Sequence, residues 1–176
     1  MNIGDVNFEE ITLFKGMPAA SLDKVRAIFG VRSLDAGENL ITEGEPGDEM
    51  FILVSGRVRI SKSMLMEGMD LPLMEVGNLR KVLATVDESS YPIFGEIALI
   101  DRDTRSATIH VLEPSHFLVT DRARFFDLLD REPAIGNKLF AALARRMAAT
   151  IRNSNSELVK LSTALALALS RCGARP

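Results

Sequence analysis

Residues 31–63, VRSLDAGENLITEGEPGDEMFILVSGRVRISKS, place a glycine-containing step after nearly every short apolar run. The steps are Ala36-Gly37, Glu43-Gly44, Pro46-Gly47 and Ser55-Gly56. Runs this short leave no room for a helical stripe. Turn signals at roughly 8 to 12 residue intervals predict an antiparallel sandwich or barrel. The four glycines are read as turn residues that supply positive φ. RKVLATV, residues 80–86, predicts a further strand. SATIHVLEPSHFLVT, residues 106–120, predicts two more, broken at Glu113-Pro114.

Helical patterns flank this region. Before it, Ile11, Leu13 and Phe14 form an apolar cluster. KGMP then breaks the chain, and Ser21 is placed as the cap of a helix carrying Leu22, Val25, Ile28 and Phe29. After it, Asp121 is the expected N-cap of a helix over ARFFDLLDR. Pro133 suits the first position of the next helix. Phe140, Leu143, Met147, Ile151, Leu158, Leu161 and Leu165 then recur mostly at three- and four-residue steps. That makes a seam able to pair with a copy of itself. Ser154-Asn155-Ser156 is expected to weaken the seam and to bend or end the helix. Residues 64–79, MLMEGMDLPLMEVGNL, concentrate four of the eight methionines and read as a long hairpin connection. Methionine suits both a loop folded on the core and an adaptable contact surface.

Several function classes are excluded by bulk properties. A net charge of −3 gives no footprint for nucleic acid. One cysteine, Cys172, rules out a disulfide framework within the chain and is read as an inert thiol. The N-terminus has no apolar signal core, and no apolar run approaches the roughly 20 residues of a membrane span. A cytoplasmic protein is expected. His110 and His116 are the only histidines, and neither has a nucleophile or carboxylate at a motif spacing. No enzyme and no metal site are expected.

One stretch asks for a ligand. FGEIALIDRDTRSAT, residues 94–108, sets Glu96 and Arg105 in an apolar, strand-rich context. Gly95 permits close backbone approach. Glu96 to Leu99 can form a helical turn with unpaired N–H groups at its start. Arg105 offers a fixed fork of donors that matches a phosphate, and Ser106 and the Ala107 amide add further donors. An ionised Glu96 can only accept, so it suits a sugar hydroxyl beside that phosphate. A ribose phosphate provides both groups. An ion pair between Glu96 and Arg105 is the alternative, compatible with the first reading when no ligand is bound.

This stretch resembles the phosphate-binding cassette of the cyclic nucleotide-binding domain family: Phe-Gly-Glu, an apolar turn, then Arg followed by small residues. AGENLITEGEPGDEMFILVSGRVRI and LFKGMP resemble the family's segments upstream. The likeness covers residues 8–155 or so. It implies an α+β fold, an eight-stranded β-roll (jelly-roll-like barrel) flanked by N-terminal helices and a long C-terminal helix starting near residue 134. Residues 1–155 form the domain and 156–176 a helical tail. Carried over, the resemblance gives Glu96 the ribose 2′-hydroxyl and Arg105 the cyclic phosphate. Phe94, Gly95, Ile97, Ala98, Ser106 and Ala107 surround them. LARRMAATIRN resembles the stretch that closes over the purine, which makes Arg146, Thr150 and Asn153 candidates for the base. Ser106 is compatible with cAMP, which is favoured over cGMP.

The sequence departs from the family in two places. The Met-rich segment reads as an insertion, and ESSYPI replaces the usual Pro-Gly-Asp turn. Only 20 residues follow Ser156, too few for a second domain, and they carry no reading helix, so direct nucleic-acid contact is not expected. The expected protein is a stand-alone cyclic nucleotide sensor. It would relay binding through its long helix to a homodimer interface or to a downstream protein that the sequence does not identify. A nucleotide-independent interaction module using the Met-rich hairpin and the C-terminal helix is the alternative, as is a cyclic dinucleotide binder.

Overall fold

The computed structural model describes residues 1–64 and 80–173, with the side chains of 172 and 173 excepted. The Met-rich expectation for 65–79 and the reading of the Cys172 thiol therefore lie outside the described residues. Two compact units divide the chain, Met1–Asn137 and Lys138–Pro176.

The first unit is built on one antiparallel sheet. Its strands are β1 (Gly30–Leu34), β2 (Asn39–Ile41), β3 (Glu49–Ser63), β4 (Arg80–Asp87), β5 (Ile93–Phe94) and β6 (Thr108–Asp121). The path runs β1-β6-β3-β4, with β2 also on β6 and β5 also on β3. Six strands are described where the resemblance implied eight, because β3 and β6 are long and each serves two sets of partners. β3 meets β5 at Phe51 and Ile52, then β4 from Arg57 onward. β6 meets β2 at Ile109 and His110, then β1 from Ser115 to Val119. The roll's interior is lined by Phe51, Leu53, Val58, Phe94, Ile109, Val111 and Phe117, all at most 5% exposed. Burial of such side chains contributes about 1.5–3 kcal/mol each.

The junction expected between two strands at Glu113-Pro114 is instead an irregularity within β6. Opposite it, Ser55-Gly56 is an irregularity within β3, not a turn: the register steps from Ser55↔His116 to Arg57↔Glu113. Gly56 has φ 105°, and a Cβ there would stand 2.1 Å from Ser115 Oγ. Proline lacks a donor and is tolerated where the ladder is already interrupted. A glycine and a proline thus share one bulge, and both strands continue through it.

Helix α1 spans Ala19–Arg26 and starts one residue after Pro18, so Ser21 lies inside it and is not its cap. The segment before it forms turns that bury Ile11, Leu13 and Phe14. Phe8 and Phe14 stack at 5.4 Å, with Phe29 edge-on to both. Helix α2 spans Glu96–Asp101, and α3 spans Arg122–Arg131. Asp121 caps α3 as expected, accepting from the Arg124 N–H at 2.8 Å.

Helix α4 spans Pro133–Gly173 with proline at its first position. It does not end at Ser154-Asn155-Ser156. Each of these residues costs only a few tenths of a kcal/mol relative to alanine in a helix, too little to break 41 residues. The second unit is this helix's continuation. Ile151, Leu158, Leu161, Leu165 and Leu169 are 58–64% exposed and fall on one stripe, while Val159 and Leu167 fall off it.

Candidate functional site: the 94–108 cassette

The cassette begins where the roll's inner wall turns outward. Phe94 in β5 pairs with Phe51 of β3 and is buried. Gly95 follows with φ 79°, a left-handed conformation that ends the strand and starts α2. Glu96 opens α2 and is half-buried. Ala98 and Leu99 face inward, and Ile97 is 39% exposed. Beyond α2 comes a polar loop held by its own side chains: Asp101 Oδ1 accepts from the Asp103 N–H, and Asp103 Oδ1 from the Thr104 N–H. Arg105, Ser106 and Ala107 then lead into β6.

Arg105 is pinned at both ends. Its N–H donates to Glu45 O at 2.9 Å, and its carbonyl accepts from Gly44 N–H at 2.9 Å. These bonds draw the Glu43–Gly47 loop against the cassette. Thr108 Oγ1 anchors the same loop by accepting from the Glu43 N–H at 3.0 Å. The Glu43 carboxylate in turn accepts from Arg80 at 3.0 Å and from the Ser63 N–H at 2.8 Å. Residues from β3, β4 and β6 therefore hold the loop that holds Arg105.

Arg105 as a residue is only 7% exposed. Nη1 donates to Glu49 O at 2.8 Å and to Gly95 O at 3.3 Å. Its face lies over the Phe51 ring at 5.8 Å. Gly47 makes the other wall: a Cβ there would stand 2.3 Å from Nε and 2.5 Å from Nη2. A Cβ on Gly95 would stand 2.4 Å from Nη1. Two glycines thus cradle the fork. Gly47 is not at positive φ, so the expectation that it supplies a special turn conformation is corrected; the missing side chain is what matters.

No carboxylate neutralises this cation at short range among the described residues. Glu49 is the natural partner, but its carboxylate is taken bidentately by Arg32, at 2.6 and 2.9 Å. Burial depresses the Arg105 pKa below its ordinary value, and the charges of Glu49 and Asp48 offset this only in part. A buried guanidinium with carbonyl partners and no close counter-ion has unspent attraction for an anion. The donor set therefore fits a phosphate.

Of the remaining sequence candidates, Ser106 is exposed and Ala107 half-buried beside Arg105. Arg146, Thr150 and Asn153 belong to the second unit, where their spacing of four and three residues puts them on one face of α4. Sequence reasoning missed Gly47, Glu49, Arg32 and the Arg80–Glu43–Thr108 network. Arg32 and Glu49, charged residues in strand-like runs, were the only signal, and their partners lie too far off in the chain to be assigned.

A family model described as cyclic nucleotide-binding domain matches residues 31–132, which contain the whole cradle. The chain belongs to the cyclic nucleotide-binding domain family. It is 28% identical over 150 residues to the cyclic AMP receptor protein of Thermus thermophilus, covering 85% of this chain and 62% of that one. It is 36% identical over 116 residues to human cGMP-dependent protein kinase 2, covering 65% of this chain and 14% of the kinase. The chain thus spans less than two thirds of either relative. Among solved structures, a cyclic nucleotide-binding domain from Methylobacillus flagellatus superposes with a TM-score of 0.72 at 25% identity, covering 86% of this chain and 82% of that one. The Thermus thermophilus catabolite activator protein superposes with a TM-score of 0.67 at 27% identity, covering 86% and 63%. These likenesses fix the fold as the family's β-roll with flanking helices.

Among the described residues, no group of three or more His, Cys, Asp or Glu side chains could hold a metal, and no helix is long and apolar enough to cross a membrane.

Proposed function

We propose that this chain is a sensor of a cyclic purine nucleotide, with cAMP preferred over cGMP. One observation carries the reading: Arg105 is buried, cradled by Gly47 and Gly95, and held by carbonyls instead of a carboxylate. The cyclic phosphate takes the free side of that fork. Glu96 accepts from the ribose 2′-hydroxyl, with Phe94, Gly95, Ile97, Ala98, Ser106 and Ala107 around the sugar phosphate. Arg146, Thr150 and Asn153, which share one face of α4, serve the purine. Relatives whose names include cyclic AMP and cGMP support the ligand class without choosing the base.

Binding shifts a pre-existing equilibrium of α4, because the ligand contacts the helix in one arrangement only. The exposed stripe of Ile151, Leu158, Leu161 and Leu165 supports the rest of the relay: a homodimer through α4, or the docking of a downstream protein there. Cytoplasmic placement and regulation without catalysis belong to the same proposal.

Isothermal titration with cAMP, cGMP and cyclic di-GMP tests it. cAMP is expected to bind most tightly. Arg105→Ala is expected to weaken it by at least tenfold to a hundredfold, the equivalent of one charge-assisted hydrogen bond of about 1.5–3 kcal/mol. No heat with any of the three would make the chain a nucleotide-independent interaction module working through α4. Heat with cyclic di-GMP alone would reassign the ligand.

A further inference from the structure

A second arginine in the same unit repeats the signature of Arg105. Arg122, at the first position of α3, donates Nη1 to Leu99 O and to Ile100 O, the latter at 2.8 Å. Its guanidinium lies 4.2 Å from the centroid of Phe126. It has no ion-pair partner among the described residues. Asp121, its neighbour, serves Arg124 instead, both as a cap and as an ion pair. Arg122 is therefore a half-buried cation on carbonyls and an aromatic ring, with no close counter-ion.

Beside it lies an open cleft of about 820 Å³, lined by Pro46, Gly47, Asp48, Arg102, Arg122, Ala123 and Phe126. That volume lies within the ordinary range for small-molecule sites, about 300–1,000 Å³. Arg102 also lines it, and its backbone is informative. It ends α2 in the left-handed region at φ 64°, a position that favours glycine. An arginine there carries backbone strain, and its side chain is exposed. Such strain is commonly kept where the side chain has work to do. Asp48 places one negative charge on the wall against the two guanidinium groups, so the cavity retains a net positive charge.

We propose that this cavity is a second ligand site, separate from the cassette, for an organic anion: a carboxylate or phosphate monoester on an apolar body. The oxyanion pairs with the forks of Arg102 and Arg122. The apolar body rests against Phe126 and Pro46. Gly47 borders both this cavity and the Arg105 guanidinium, so occupancy here presses on the loop that cradles Arg105. The same ligand also buttresses Arg122, which holds the end of α2. The site is thus placed to modulate the cassette.

The test uses the full chain with ¹⁵N-labelled arginine, titrated separately with benzoate and with phenyl phosphate. The Nε–H signals of Arg102, Arg122 and Arg105 report the two sites independently. Saturable shifts of Arg102 and Arg122 are expected, and the tighter probe names the head group. Arg102→Gly keeps the backbone conformation and removes the fork, so it is expected to weaken probe binding by about tenfold or more and to raise the melting temperature. Shifts confined to Arg105, no shifts with either probe, or unchanged affinity in Arg102→Gly would each overturn the proposal.

Discussion

Arg105 shows how a single side chain is made receptive. The Glu49 carboxylate is diverted to Arg32, Nη1 of Arg105 is fixed by two carbonyls, and its guanidinium is given space by Gly47 and Gly95. This makes Gly47 a residue of function and not of fold. Gly47→Ala meets no positive-φ penalty, but its methyl group would collide with Nε and Nη2. The variant is expected to keep a wild-type melting temperature within a few degrees and to lose cyclic nucleotide affinity by about tenfold or more. Calorimetry of both quantities checks this. Tyr91 offers a second residue-scale reading. It is the one tyrosine in a chain without tryptophan, so its ionisation can be followed alone by ultraviolet absorbance. Burial, and then its hydrogen bond to Glu10 Oε2 at 3.1 Å, push its pKa above the ordinary 10.0. A raised pKa means the folded state holds the phenolic proton more tightly than the unfolded one. That stabilisation is complete below pH 10 or so and is lost as pH rises through the folded value. Glu10→Gln is expected to lower the midpoint of the titration.

At the scale of elements, the cassette is a short helix held at both ends by residues from elsewhere. Gly95 starts α2, and Arg122 of α3 satisfies the carbonyls of Leu99 and Ile100 at its end. A six-residue helix cannot sustain itself on its own hydrogen bonds. Arg122→Met retains much of the packing on Phe126 and removes the donors. It is expected to cost about 1–3 kcal/mol, the penalty of leaving buried acceptors unmet. The measurement is hydrogen exchange, with α2 amides losing protection before those of β3 and β6. If α2 protection were unchanged, the capping role would be wrong. The strands carry the complementary lesson. Turn chemistry read Gly37 and Gly44 correctly as positive-φ positions, but it misread Gly47 and did not tell a bulge from a turn at Gly56. That distinction depends on Ser115, 59 residues away and across the sheet.

At the scale of the whole molecule, the second unit displays a stripe of large apolar side chains more than half exposed. An amphipathic helix with this pattern is stabilised by pairing, and a two-fold coiled coil is the simplest arrangement. Leu161→Lys with Leu165→Lys is expected to shift sedimentation from dimer towards monomer while leaving the thermal unfolding of the roll intact. Sedimentation unchanged from wild type would remove the seam from the account. The sequence alone determined much about this protein. The turn spacing pointed to an antiparallel sandwich or barrel, Asp121 and Pro133 placed two helix starts, and FGEIALIDRDTRSAT marked the cassette by its resemblance to the family's motif, because each of these signals is local and is read within about fifteen residues. Tertiary structure decided what surrounds the charge: Gly47 as the floor, Arg32 as the decoy for Glu49, Arg122 as the cap of α2. Those contacts join residues that are neighbours only after the sheet has closed, and no periodicity along the chain encodes them.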